Sequence, residues 1–245
     1  MKNIKVITAL ALLVTIICLA NNLNAQTSVH TNQQLNQREQ SIISIAALAA
    51  QGDLSKLKPA LNKGLDAGLT LNEVKEVLVH LYAYCGFPRS IRGLQTLMSV
   101  LEERKAKGII DQIGNDAAPV DEKGNKYARG KNILETLTRM PQSDTLTGYS
   151  AFAPVIDTFL KEHLFADIFE RDVLTYSERE LVTVSVISTI GKAEPMLRSH
   201  LNICLNTGLT PEQLQQFVHI ISATIGKKEA KAAKNILDEV LHNKQ

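Results

Sequence analysis

The sequence predicts an all-α protein built from two copies of one helical unit. Apolar residues recur at spacings of three and four, no segment sustains the alternation of a half-buried strand, and a stretch of about sixty residues overlays a later one. An offset of 140 residues places Leu61 on Leu201, Leu65 on Leu205, Gly68-Leu69-Thr70 on Gly208-Leu209-Thr210, Val74 on Leu214 and Gly86 on Gly226. With a one-residue gap upstream, Arg38-Glu39 falls on Arg179-Glu180. Agreement in both composition and order is the mark of a duplication.

The elements follow in chain order. Lys2 and Lys5, an apolar run over residues 6–20 and small Ala25 before Gln26 read as a secretory signal over residues 1–25. The run is short for a membrane span, and a retained N-terminal anchor is the alternative. Ile17 is too large for the small residue a lipoprotein needs before Cys18. The mature chain is therefore expected to be exported, to a periplasm, with no membrane span after cleavage. Loss of Lys2 and Lys5 takes the basic count from 27 to 25, equal to the 25 acidic residues, so no electrostatic footprint for nucleic acid remains.

A linker over residues 26–37 leads to the first repeat, residues 38–106. Ile42, Ile45, Ala46 and Ala49 mark its opening helix, which Gly52 ends, and Gly68 ends the next. Thr70 caps the third helix, with Glu73 completing a capping box, and this helix is expected to run to about Tyr84 and stop at Gly86-Phe87-Pro88. Pro88 opens a fourth helix reaching about Lys105. The polar stretch 108–130, with Pro119 inside, reads as exposed linker, and 107–122 is assigned as the inter-repeat segment. In the second repeat, residues 123–245, stretches 132–139 and 152–171 look helical. Leu181, Val184, Ser185 and Ser188 then mark the counterpart of the opening helix, ended by Gly191, and Thr210-Pro211 starts a later one.

Chemistry-bearing residues are distributed unequally. Glu73, Glu76 and His80 share one helix face, with Tyr84 next along. A glutamate four residues before a histidine can fix its imidazole for general-base work; the alternative is that Glu73 and Glu76 are simply a solvated face. Cys85 sits at a helix junction, where a dipole can favour the thiolate, or it is a small buried apolar residue. Cleavage leaves Cys85 and Cys204 in non-equivalent places of the repeat, read as two free thiols. In the second copy Ile220 stands where His80 does, whereas His200 stands where the first copy has Ala60. The copies are thus complementary, and one composite site of Glu180 and His200 with His80 and Cys85 is the expectation; drift of both copies into a scaffold is the alternative. His219 is offset by one from the first copy's histidine and reads as surface. No metal-ligand cluster or phosphate-cradling glycine loop occurs, so neither metal nor cofactor is expected.

The run His80-Leu81-Tyr82-Ala83-Tyr84-Cys85-Gly86-Phe87-Pro88-Arg89-Ser90 resembles the signature of the carboxymuconolactone decarboxylase family, within the alkylhydroperoxidase D-like superfamily. Residues 127–130 are similar to the family's N-terminal R-x-G region, 164–171 to its pre-core helix and 175–182 to its core start. The resemblance implies an α-helical bundle that assembles into rings with pockets between helices, hence a homo-oligomer, for instance a trimer of tandem chains. It also implies a small-molecule substrate. Family members include a cofactor-free lactone decarboxylase and thiol peroxidases. Carried over to matching positions, His200 or His80 supplies a proton, Glu180 orients the histidine, Arg179 binds a carboxylate, and Tyr84 and Pro88 line the substrate. The thiol peroxidases use C-x-x-C followed by histidine; Cys85 is followed by Gly86-Phe87-Pro88 and lacks a resolving partner, leaving one-cysteine chemistry as runner-up. A binding or scaffold oligomer without turnover is the third reading.

Overall fold

Side chains at the helix starts set the frame of the fold. In the computed structural model, which describes residues 34–120 and 124–243, four helices open with a reciprocal capping box. These are α1 (Gln37–Gln51) by Asn36 and Glu39, α3 (Leu71–His80) by Thr70 and Glu73, α9 (Tyr176–Ile190) by Thr175 and Glu178, and α11 (Pro211–Thr224) by Thr210 and Gln213. The expected leader with its Cys18, and most of the linker expected over 26–37, lie outside the described residues. Every regular element among the described residues is helical, and none is long and apolar enough to cross a membrane.

Between these anchors lie α2 (Leu54–Asp66), α4 (Tyr82–Cys85), α5 (Phe87–Ala106), α6 (Lys126–Thr138), α7 (Gly148–Phe152), α8 (Pro154–Thr158), a π-helix (Phe159–Ile168), α10 (Glu194–Asn206) and α12 (Lys227–His242). Three expectations are corrected here. The third helix does not run through to Tyr84: it ends at His80, and after Leu81 the short α4 starts afresh, stopped by Gly86 at φ 83°. The stretch 152–171 is no single helix, because Pro154 has no N–H to continue α7 and begins α8 instead, which passes into the π-helix. The exposed linker ends before Gly130: Asn125 accepts from the N–H groups of Tyr127 and Ala128 and opens α6, burying Gly130.

The inter-repeat segment is also tied down. Gln112 and Ile113 accept from the Leu71 and Asn72 amides at 2.8 and 2.9 Å, orphan donors of the α3 N-terminus. The Asn72 side chain donates to Gly114 O, Asn115 O and Asp116 Oδ1, and Arg104 grips Asp111 with two nitrogens.

Helices α1 and α9 lie at the centre and are buried almost all round, through Ile42, Ile43, Ile45 and Ala46 on one and Leu181, Val182, Val184 and Val186 on the other. Their polar residues survive by bonding back one turn, Ser185 to Leu181 O at 2.6 Å and Ser41 to Gln37 O at 2.8 Å. The packing is reciprocal: α1 meets α11 of the second copy, and α9 meets α3 and α4 of the first. One hydrophobic core serves both copies. A second cluster of Leu137, Phe165, Phe169 and Ile203 seats α6 and the π-helix on α10. Beside it a buried network joins Lys161 to Asp157 at 2.8 Å and to Tyr127 at 2.7 Å, with Ser150 on the same carboxylate.

Gly130 makes that seating possible, because a Cβ there would collide with the backbone carbonyl of Lys161. Gly130→Ala is expected to lower stability by about 3 kcal/mol in urea titrations, as overpacking against rigid backbone does. Lys131→Ala next to it, which removes an ion pair to the exposed Asp144 together with the packing of a mostly covered side chain, should cost less, about 1 kcal/mol.

Candidate functional site

The face of α3 that packs on α9 carries Glu76 and His80. Glu76 is 3% exposed and meets two arginines of the second copy. Arg179 Nη2 donates to its Oε1 at 2.9 Å, and Arg171 spans the carboxylate with Nε at 2.9 Å and Nη2 at 3.0 Å. The solvated-face reading therefore does not hold for Glu76, nor does Glu76 hold His80. It does describe Glu73 better, a partly exposed cap residue paired with Arg38.

His80 is fully buried and both its ring nitrogens are engaged. Arg179 Nη1 donates to Nδ1 at 3.2 Å, and Nε2 lies 3.0 Å from the Thr183 hydroxyl, which itself donates to Arg179 O. A guanidinium has no lone pair to offer, so His80 is neutral with its proton on Nε2. Burial pushes its pKa well below the ordinary value near 6.5, and the charge of Arg179 and then His200 add to this. Arg179 is fully buried as well, and burial pulls its guanidinium below its usual range while Glu76 opposes that pull.

One residue on, Glu180 points to the other side of α9. Its side chain is 0% exposed, and Oε2 lies 2.8 Å from Nδ1 of His200 on α10, whose side chain is 14% exposed. A carboxylate only accepts, so the proton is on Nδ1 and the lone pair on Nε2, the reverse of His80. Tyr84, brought in by α4, stands between the two histidines, with ring centroids 5.5 Å from His80 and 5.8 Å from His200, edge-on to the latter. The other oxygen of Glu180 and the Tyr84 hydroxyl are buried without hydrogen-bond partners.

His80, Tyr84, Glu180 and His200 thus form one contiguous cluster drawn from both copies. Cys85 takes a different course. Its thiol donates to Leu81 O at 3.2 Å, and burial pushes its pKa up to about 11 against a weaker lowering by Arg89. Cys204 is free, fully buried, and pushed up by burial and by Glu180. Arg179, expected to bind a substrate carboxylate, is closed off from solvent by Glu76 and His80, and Pro88 lies exposed at the start of α5. His219 is exposed. Sequence reasoning missed Arg171 and Thr183: nothing local marks either, and both act only through the helix facing them.

The pseudo-equivalent place between α11 and α1 has none of this. Ile220 and Ile42 stand for His80 and Thr183, Gln216 accepts from the Leu35 amide at 2.7 Å, and Thr224, in place of Tyr84, lies 3.5 Å from Ser44.

The sequence model described as the carboxymuconolactone decarboxylase family matches residues 19–97 and again 154–239. A 4-carboxymuconolactone decarboxylase of Acinetobacter baylyi is 27% identical over 116 residues, covering 47% of this chain and 86% of that protein. An uncharacterized protein of Methanocaldococcus jannaschii is 27% identical over 77 residues, 31% of this chain and 72% of that one.

Burial of a neutral His80 makes stability depend on pH. The unfolded chain takes up the proton near pH 6.5 and the folded one resists it until well below, so the contribution is complete above 6.5 and is lost as pH falls below it. The expected loss is up to about 1.4 kcal/mol per pH unit from this one group. Urea unfolding at pH 7.5, 6 and 5 should show that His80→Gln flattens the acid-side slope by close to one proton; an unchanged slope would place His80 in contact with solvent.

Proposed function

The chain belongs to the carboxymuconolactone decarboxylase family, and from that premise we propose that it is a cofactor-free acid–base lyase acting on a small carboxylated or lactone substrate. One observation carries this reading: the fully buried Glu180 holds Nδ1 of His200 at 2.8 Å while the His200 side chain still reaches the surface. The arrangement suits proton transfer at Nε2, because the carboxylate fixes the tautomer and steadies the imidazolium when it forms.

On a lactone bearing a carboxylate the chemistry would run as follows. The bond to the carboxylate carbon breaks, its electron pair remains as a dienolate conjugated with the lactone carbonyl, and carbon dioxide leaves. His200, protonated from solvent at Nε2, then gives that proton to carbon. His80, with both nitrogens engaged and its charge suppressed, shapes the site and is not the proton donor in this scheme.

Thiol peroxidase chemistry has less support: a thiol raised to about 11 is a poor thiolate source at neutral pH, and Cys204 is sealed in the core. Homo-oligomer formation belongs to the same proposal, supported by large apolar side chains left exposed at Phe87, Phe152, Val155 and Phe159. Export is proposed on the leader-like residues 1–25.

The test is turnover of 4-carboxymuconolactone without added cofactor, followed as carbon dioxide release. Glu180→Ala and His200→Ala are each expected to lower kcat/KM about 100-fold or more, with Cys85→Ser unchanged. Peroxide consumption that depends on Cys85 alone would favour the thiol reading, and binding of the lactone without turnover would favour a scaffold.

A further inference from the structure

We propose that Tyr84 of the first copy is a positioning residue for the Glu180–His200 pair, its hydroxyl donating to the carboxylate oxygen that His200 leaves free. The inference rests on the reading of that pair as the working site. Glu180 lies wholly inside the core with Oε2 given to His200, and its Oε1 is an acceptor without a donor. Tyr84 brings the complement, a buried hydroxyl without a partner, on α4, which packs directly on α9. Its ring already stands edge-on to His200. Buried polar groups are nearly always satisfied, so an orphan donor and an orphan acceptor on facing helices are each other's natural partner.

Burial and then the charge of Glu180 hold the phenol pKa well above its usual range, so Tyr84 keeps its proton and remains a donor. A carboxylate gripped at both oxygens cannot swing away from His200. That keeps the histidine proton on Nδ1 and the lone pair on Nε2. Thr183 gives its hydroxyl hydrogen to the Arg179 carbonyl, so toward Tyr84 it can only accept, and Arg179 gives Nη1 to His80 and Nη2 to Glu76, leaving its Nε and Ser188 as the other buried donors without a partner. At the pseudo-equivalent place Thr224 and Ala60 replace Tyr84 and His200, so the device exists once.

The test uses the whole chain with ¹⁵N-labelled histidine, His200 being assigned by its loss in His200→Gln. In the wild type His200 is expected wholly as the Nδ1–H tautomer. In Tyr84→Phe it becomes a mixture of both tautomers, with His80 unchanged, and kcat on 4-carboxymuconolactone falls about tenfold at unchanged KM. Tyr82→Phe, which alters a ring that stacks on Phe87 and faces His163, should move neither. A tautomer shift without lactone turnover by the wild type would retain the positioning role and sink the lyase reading. Turnover by the wild type with tautomer and kcat unmoved in Tyr84→Phe would do the reverse. Should Tyr84→Phe fail to fold, the wild type decides: a downfield, slowly exchanging Tyr84 hydroxyl proton that moves upfield in Glu180→Gln supports the bond, and its absence overturns it.

Discussion

Arg179 carries a full charge to a place without access to water, and the architecture is arranged around making that tolerable. An isolated buried guanidinium is prohibitively costly; one met by a carboxylate, an imidazole lone pair and a backbone carbonyl is not. Glu76, His80 and the carbonyl of Arg171 provide those partners, two of them from the other copy. Because Arg179 and Glu180 are consecutive on α9, the same docking that satisfies the arginine fixes where the glutamate points. The ionic clasp and the candidate dyad are therefore two sides of one helix, and neither can be described from a single copy.

The two copies have met the same packing problem in different ways. Around α1 the corresponding positions are filled by Ile42 and Ile220, with Arg38 turned outward to Glu73 at the surface. That solution is ordinary hydrophobic burial, and it demands no exact partner. Around α9 the positions are ionic and polar, and almost every donor and acceptor is accounted for. The exceptions fall at Tyr84, Glu180, the Nε of Arg179 and Ser188. Unsatisfied groups that gather in the polar half and not in the apolar one are what a site for chemistry would leave behind.

Much of the fold was legible because its signals are local. Thr70 with Glu73 is a capping box in three residues of sequence, Gly52 is a left-handed helix end, and the repeat itself is an alignment of the chain with itself. Glu180 and His200 came to notice by contrast, since His200 stands where the first copy has Ala60. What escaped notice is what a helical period cannot encode. Spacings of three and four give Glu76 a face but do not say whether that face meets water or the other copy. Arg171 bonds a residue 95 positions away. The close seating of α6 on the π-helix depends on Gly130, where a Cβ would collide with the Lys161 carbonyl, a contact between segments that share no motif.

The separation of the clasp's partners bears on how the molecule is made. Glu76 and Arg179 lie 103 positions apart, so a ribosome completes the first helical unit well before the counter-ion for its buried carboxylate has been synthesised. Until then the nascent half holds an acid and a histidine on a face with nothing to receive it. Early stable folding of that half is thereby disfavoured, and native structure is deferred until the second half emerges.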